Sequence, residues 1–394
     1  MDLIDLLLSI LRFNRSSIYR ELVVLASISQ NIRRPNKKNS FKRNFRKIYL
    51  YASLFKRILS IYSLKNLLIK LFYKENKKIN NDLLIIYPNG DEWILRGLSK
   101  DLSKELLNQN LNVNYIPFKK LKDNLNYRNF LIIGDDLAKN ILRDFPFIIN
   151  KSSIYITHIR TISKYEVEQM SRFKYIFCQS GLDQMRLCSL GFLPGRVFNL
   201  PLGVDQKLFF RTKNFLEREY DFLISTPYKI DYLGSHYWLR KGTPLLVETI
   251  KELASKGFKV MLLGDNWNSY NFASENIKIH SPSYEEKSFY INQCKCYLNL
   301  SLLEGGPVTL LESLACGCFC ITKNSGLAHQ LSEDFKENCK LIKNYMNKIT
   351  LTNEIIKNYS SFLEKSISKS NEYLELKKYT YENLSIKLKN IIFN

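Results

Sequence analysis

The stretch from Asn299 to Gly326, NLSLLEGGPVTLLESLACGCFCITKNSG, constrains this chain more than any other. Its periodicity predicts a buried strand from Cys296 to Leu300, a glycine turn, a short apolar helix and a second buried strand from Phe319 to Thr322. Gly305 and Gly306 let the backbone come close to a ligand. Pro307 suits the first helical position, and Gly317 suits the helix stop. The helix therefore opens straight after a glycine turn, with its unbonded N–H groups and positive dipole end facing outward. Such an end attracts anions. Glu304 stands just before the turn and Glu312 inside the helix, where an acid is costly to bury without a partner.

The same alternation runs through most of the chain. From Asp82 onward, apolar runs at Leu83–Tyr87, Val113–Pro117, Phe130–Ile133, Ser153–Thr157 and Tyr175–Cys178 read as strands separated by helical segments. After a polar stretch from Gln206 to Tyr220, a second series begins with Asp221–Ser225, Val260–Leu263 and Ile277–His280. Helices are expected from Pro244 to Ser255 and through Gln293. Everything after Gly326 reads as helical and charged, including the last segment, Tyr373–Ile391. Strands alternating with helices imply doubly wound parallel sheets. Ligands bind such sheets beyond the carboxyl ends of the strands, where Gly90, Gly134, His158 and Ser180 fall.

At 394 residues the chain is long enough for two such domains. It has no apolar run long enough to span a membrane, and the segment opening at Asp2 reads as a short amphipathic helix rather than a signal peptide. Eight cysteines without a secretion signal favour reduced thiols in the cytoplasm. The one-residue spacing of Cys294 and Cys296, and of Cys316, Cys318 and Cys320, suits strand faces rather than a zinc loop. Packing explains them, and no metal site is expected.

The net charge of +22 is concentrated at one end. Between Asn31 and Asn80, fifteen Lys or Arg face a single acid, Glu75. Helix-like stretches at Asn44–Ile61 and Leu64–Tyr73 mix these cations with aromatic residues, which suits contact with an anionic lipid surface. The alternative is a basic nucleic-acid- or membrane-binding protein on a degenerate scaffold. No base-reading motif supports it, and basic charge alone is non-specific.

The motif Glu304-Gly-Gly-Pro307 followed by Glu312-Ser-Leu-Ala-Cys-Gly317 resembles the signature of retaining glycosyltransferases of GT-B fold, the family-four or group 1 type. Gly195 to Asp205, with Phe209 beyond it, resembles that family's entry into the interdomain linker, and Lys241-Gly242 its lysine motif. The resemblance implies two Rossmann-like domains facing a cleft, at residues 81–205 and 221–372. A linker at 206–220, a returning helix at 373–394 and the basic helical extension 1–80 complete that expectation. It further implies that Glu304 and His158, the latter in Ile-Thr-His-Ile-Arg, lie by the donor sugar. Lys241 would contact the diphosphate, together with Gly305, Gly306, Pro307 and Val308, and Glu312 would contact the ribose. Asn89-Gly90 stands where the family has a glycine-rich loop. The family's second phosphate-binding arginine is replaced by Ser225-Thr-Pro-Tyr228, with Arg240 or Lys229 as substitutes. No Asp-x-Asp triplet occurs, so metal-independent transfer is expected. A nucleotide sugar would serve as substrate, no resident cofactor would be needed, and the acceptor would be a glycan or a lipid-linked sugar. The expected location is the cytoplasm, peripheral to the inner face of the membrane.

Overall fold

The computed structural model describes residues 81–89, 93–159, 162–225, 239–265, 267–343, 347–368 and 376–393. The helices expected before residue 80, and the positions of Gly90 and Lys229, lie outside the described residues.

The described residues form two six-stranded, wholly parallel sheets. The first contains β1 (Asn81–Tyr87), β2 (Val113–Pro117), β3 (Tyr127–Ile133), β4 (Ser152–Tyr155), β5 (Ile176–Cys178) and β6 (Val197–Asn199), in the order β2-β1-β3-β4-β5-β6. Helices α1 (Trp93–Asn108), α2 (Asp135–Asp144), α3 (Lys164–Met170) and α4 (Gly181–Ser189) connect them. The second contains β7 (Tyr220–Ser225), β8 (Val260–Leu263), β9 (Ile277–His280), β10 (Cys294–Asn299), β11 (Phe319–Lys323) and β12 (Cys339–Ile342). Its order is β12-β11-β10-β7-β8-β9. Its helices are α5 (Thr243–Ser255), α6 (Lys287–Ile291), α7 (Val308–Ala315), α8 (Ala328–Asp334) and α9 (Lys348–Ser368), followed by α10 (Tyr381–Phe393). This is the GT-B architecture of two Rossmann-like domains.

Continuous apolar runs make these strands because both sheet faces are covered. In β1, Leu83 and Ile85 enter one core cluster and Leu84 and Ile86 the other, all fully buried. The two-residue period of a strand sends neighbours to opposite faces. Two short strands depart from the sequence expectation. β6 lies within the stretch read as the approach to the linker. β12 lies in the tail read as wholly helical, because its two central residues are half-buried and leave no apolar run.

The cysteines also differ from expectation in detail. All eight are unpaired thiols, and all but Cys188 are buried. Cys294 and Cys296 fall in different clusters rather than on one face. Cys294 opens its strand in the turn leaving α6, where its Sγ lies 3.4 Å from the Tyr290 carbonyl. Cys316 ends helix α7 rather than lying on a strand.

The chain crosses between the domains twice. On the way out, buried Arg218 donates to the carbonyls of Cys294 (2.8 Å) and Cys316 (2.6 Å), tying the connecting segment to the end of α7. That carbonyl belongs to the negative end of the helix, which suits a cation. On the way back, Val204 and Thr380 form a parallel bridge, and the Val204 amide donates to the Tyr379 carbonyl at 2.8 Å. A Cβ on Gly203 would lie 2.4 Å from the Tyr381 nitrogen, so only glycine admits this approach. Helix α10 then packs on α1, with Leu384, Leu388 and Ile392 in the same core cluster as Leu98, Leu102 and Leu106. Burying each such side chain contributes about 2 kcal/mol.

Candidate functional site

In the second sheet, β7 and β10 are neighbours whose connections leave in opposite directions, so a crevice opens beyond their carboxyl ends. The segment that follows β10 turns there. The Ser301 amide donates to the Asn299 side chain at 3.3 Å, bending the chain out of the strand. The amides of Leu302 and Leu303 then donate to the Arg240 carbonyl at 2.7 and 3.3 Å. This clamp brings the two turns together and lets Lys241 pair directly with Glu304. Gly242, at φ +66°, gives the left-handed residue that ends the lysine turn and starts α5.

Burial pushes the Glu304 carboxyl up, but Lys241, Arg240 and the Ser301 hydroxyl outweigh it and hold the group below the ordinary carboxylate range. Glu304 is thus an anion in a largely desolvated position. Arg240, one of the two proposed substitutes for the family's second phosphate-binding cation, is only 7% exposed, and its charge acts on Glu304.

Helix α7 follows the turn, as the sequence predicts, but it begins at Val308, with Pro307 as the capping residue rather than the first helical one. At φ −70° and ψ 92°, Pro307 is still extended. Having no N–H, it adds no donor, so of the stretch Gly305–Val308 only Val308 belongs to the first turn of the helix. The predicted stop holds: Gly317 follows the last helical turn at φ +74°.

The two glycines of the turn touch the other domain. A Cβ on Gly305 would lie 1.7 Å from the Thr157 carbonyl oxygen and 3.0 Å from the His158 Cα. One on Gly306 would lie 2.0 Å from Gln179 Oε1. From the other side, Gly326 presses on the carbonyls of Glu304 and Gly305, and Leu327 donates to the Gly305 carbonyl at 2.7 Å. His158, predicted at a strand end, therefore stands beside the turn that follows Glu304. Its Nδ1 is 3.2 Å from the Thr157 hydroxyl.

Glu312 lies deeper, fully buried on α7, where Lys287 of α6 pairs with its Oε2. Lys287 Nζ also donates to the Thr309 hydroxyl at 2.8 Å. Tyr297 is fully desolvated, and its phenol is raised by burial first and by the charges of Glu304 and Glu312 after that.

The structure thus gathers Lys241, Arg240, Glu304, Gly305, Gly306, Pro307, Val308 and His158 around one turn, with Glu312 a helix turn beyond. Sequence reasoning missed Lys287, Gln179 and Gly326. Gln179 is 2% exposed, and its Oε1 has no hydrogen-bond partner among the described residues. Its place at the end of β5, next to Ser180, was the one signal available.

Residues 227–358, within the second domain, match the family model described as glycosyl transferases group 1, bearing out the resemblance carried by the Glu304–Gly317 motif. Among curated protein sequences, none matches this chain. Solved structures share its fold at low identity. HepE of Anabaena, solved with UDP and glucose, is 11% identical, with 80% of this chain and 100% of that one covered at a TM-score of 0.60. Sucrose-phosphate synthase of Thermosynechococcus elongatus is 12% identical, covering 79% of this chain and 98% of its own at 0.56. A glycosyltransferase of Rickettsia africae is 13% identical, with 80% and 100% covered at 0.53.

Proposed function

We propose that this chain transfers a sugar from a nucleoside-diphosphate sugar to a glycan or lipid-linked acceptor, with retention of configuration and without a metal ion or resident cofactor. The observation that carries this reading is the Lys241–Glu304 pair just before the glycine turn that leads into α7, a turn whose Gly305 abuts His158 of the opposite domain. As the sugar–phosphate bond breaks, negative charge grows on the diphosphate and positive charge on the sugar ring. Fixed cations and amides aimed at the phosphate favour that state over the ground state. Lys241, Arg240 and the amides of Gly305, Gly306 and Val308 supply them. Glu304, kept ionised by its cations, accepts hydrogen bonds from the sugar hydroxyls and faces the growing positive charge. His158 stands on the acceptor side of the turn. The acceptor hydroxyl attacks the face that the diphosphate leaves, so no protein nucleophile is needed. Glu312 receives the ribose. The UDP and glucose named for the HepE structure support a nucleotide-sugar donor here.

The basic stretch between residues 31 and 80 brings the enzyme to an anionic lipid surface on the cytoplasmic side. Among the described residues no helix is long and apolar enough to cross a membrane.

The test is a panel of nucleotide sugars scored for thermal stabilisation and then for turnover in the presence of a metal chelator. One donor is expected to raise the melting temperature and to release its nucleoside diphosphate, with product anomers of the donor's configuration by NMR. A panel in which nothing stabilises the protein or is turned over overturns the reading. Sedimentation with anionic vesicles, with and without residues 1–80, decides the membrane part. Binding that survives the deletion refutes it.

A further inference from the structure

Glu312 poses a physical problem that the donor reading does not solve by itself. Its carboxylate is 0% exposed, and Lys287 takes only Oε2. Oε1 is buried with no hydrogen-bond partner among the described residues. Leaving one oxygen of a buried anion unmet is unfavourable, so such an atom marks a place where something else donates. The groups around it do not remove the problem. Tyr284 and Tyr381 stand close enough that the Glu312 charge adds to the burial that raises their phenols, with Asp101 acting more strongly on Tyr381. Neither hydroxyl satisfies Oε1, which keeps no hydrogen-bond partner among the described residues.

Lys287 has the means to hold the carboxylate in place. It begins the short helix α6, is 8% exposed, and is fixed from two sides by Glu312 and the Thr309 hydroxyl. Both partners lie on α7, three residues apart. The ammonium therefore sits in a frame built from the helix that follows the glycine turn. We propose that Lys287 is a positioning residue for the nucleotide. It holds one carboxylate oxygen of Glu312 so that the other is reserved for a ribose hydroxyl of the donor. The inference rests on the donor reading above and extends it to a residue outside every motif of the chain. Lys287 does not touch the nucleotide. Its effect is confined to the sugar hydroxyls, which distinguishes positioning from general support of the fold.

The experiment measures, by calorimetry on the full chain, affinities for UDP, ADP and GDP and for the 2′,3′-dideoxy form of whichever binds best. The wild-type protein is expected to prefer the ribose form by about tenfold or more, the worth of one charged hydrogen bond. Lys287→Met lowers affinity for the ribose form by about the same factor and leaves the dideoxy form unchanged, so the preference collapses. Lys287→Arg restores part of it. Should Lys287→Met fail to fold, Thr309→Val decides, since it loosens the lysine without removing a charge; the preference should fall about threefold. A Lys287→Met protein, or failing that a Thr309→Val protein, that keeps the wild-type preference overturns the assignment and leaves the donor reading intact. A wild-type protein that binds none of the three diphosphates overturns the donor reading itself.

Discussion

Two lysine–glutamate pairs flank the same glycine turn, and they are built for opposite ends. Lys241 and Glu304 come from two turns beyond strand ends, and each side chain keeps 12% of its surface in solvent. Lys287 and Glu312 come from two helices, and the glutamate side chain keeps 1%. Each member of the first pair has its own substrate contact in the proposed reaction, so the pair has to exchange partners when donor enters. The second pair stays together while one glutamate oxygen does the work. Both are buried charge pairs whose lysines are about equally covered, at 12% and 10% exposed, and the difference lies in the glutamates, which keep 12% and 1%.

That contrast can be broken experimentally, most severely at Glu304. Glu304→Gln should lower kcat by about two to three orders of magnitude while changing nucleotide affinity only a few-fold, because its contact strengthens as charge develops on the sugar. Steady-state kinetics beside calorimetry would show this, and turnover near wild type would remove Glu304 from the chemistry. Next in size is Gly305→Ala, whose methyl would lie 1.7 Å from the Thr157 carbonyl. The two domains must separate to admit it, so transfer should fall about tenfold or more as the reacting groups lose alignment. Unaltered kinetics with an unaltered melting curve would mean the contact is not needed.

The mildest is Lys241→Met, and its sign follows from what acts on Glu304. In the wild-type protein burial raises the carboxyl, and Lys241, Arg240 and Ser301 bring it below the ordinary range. Glu304 thus stays ionised to lower pH than a free carboxylate, and the acid limb of kcat/KM should lie correspondingly low. Without Lys241 burial gains ground, the carboxyl rises, and activity should be lost at a higher pH than in the wild type. Affinity for nucleoside diphosphate should fall about tenfold, the worth of one charged contact. An acid limb that does not move would show that Arg240 and Ser301 hold Glu304 unaided.

What could be read in advance divides along the same line. Glu304, the glycines, Glu312 and the strand ends belong to one local pattern, in which a few neighbouring residues dictate the turn and the helix. The architecture was legible because ten of the twelve strands stand out as strand-like runs separated by helical segments. β6 and β12 were not: β6 falls in the stretch read as the approach to the linker, and Lys340 interrupts the apolar residues of β12. Lys287 was missed for a different reason. It lies in a charged run of ordinary surface character, Glu285-Glu286-Lys287, and only the fold turns it inward onto a glutamate of another helix. Gln179 and Thr157 meet the glycine turn from the other domain, a contact that no local pattern encodes.

The returning helix α10 has a consequence for how the protein is made. Leu384, Leu388 and Ile392 complete a core that begins with Leu83 and Leu98. A growing chain emerges from its ribosome in order, and its domains generally form as they appear. Here the first domain cannot close its core until residues 381–393 have been synthesised. The second domain, whose strands end at Ile342, has all of its sheet before then. The half that emerges first is finished last, and α1 keeps an uncovered apolar face throughout that delay.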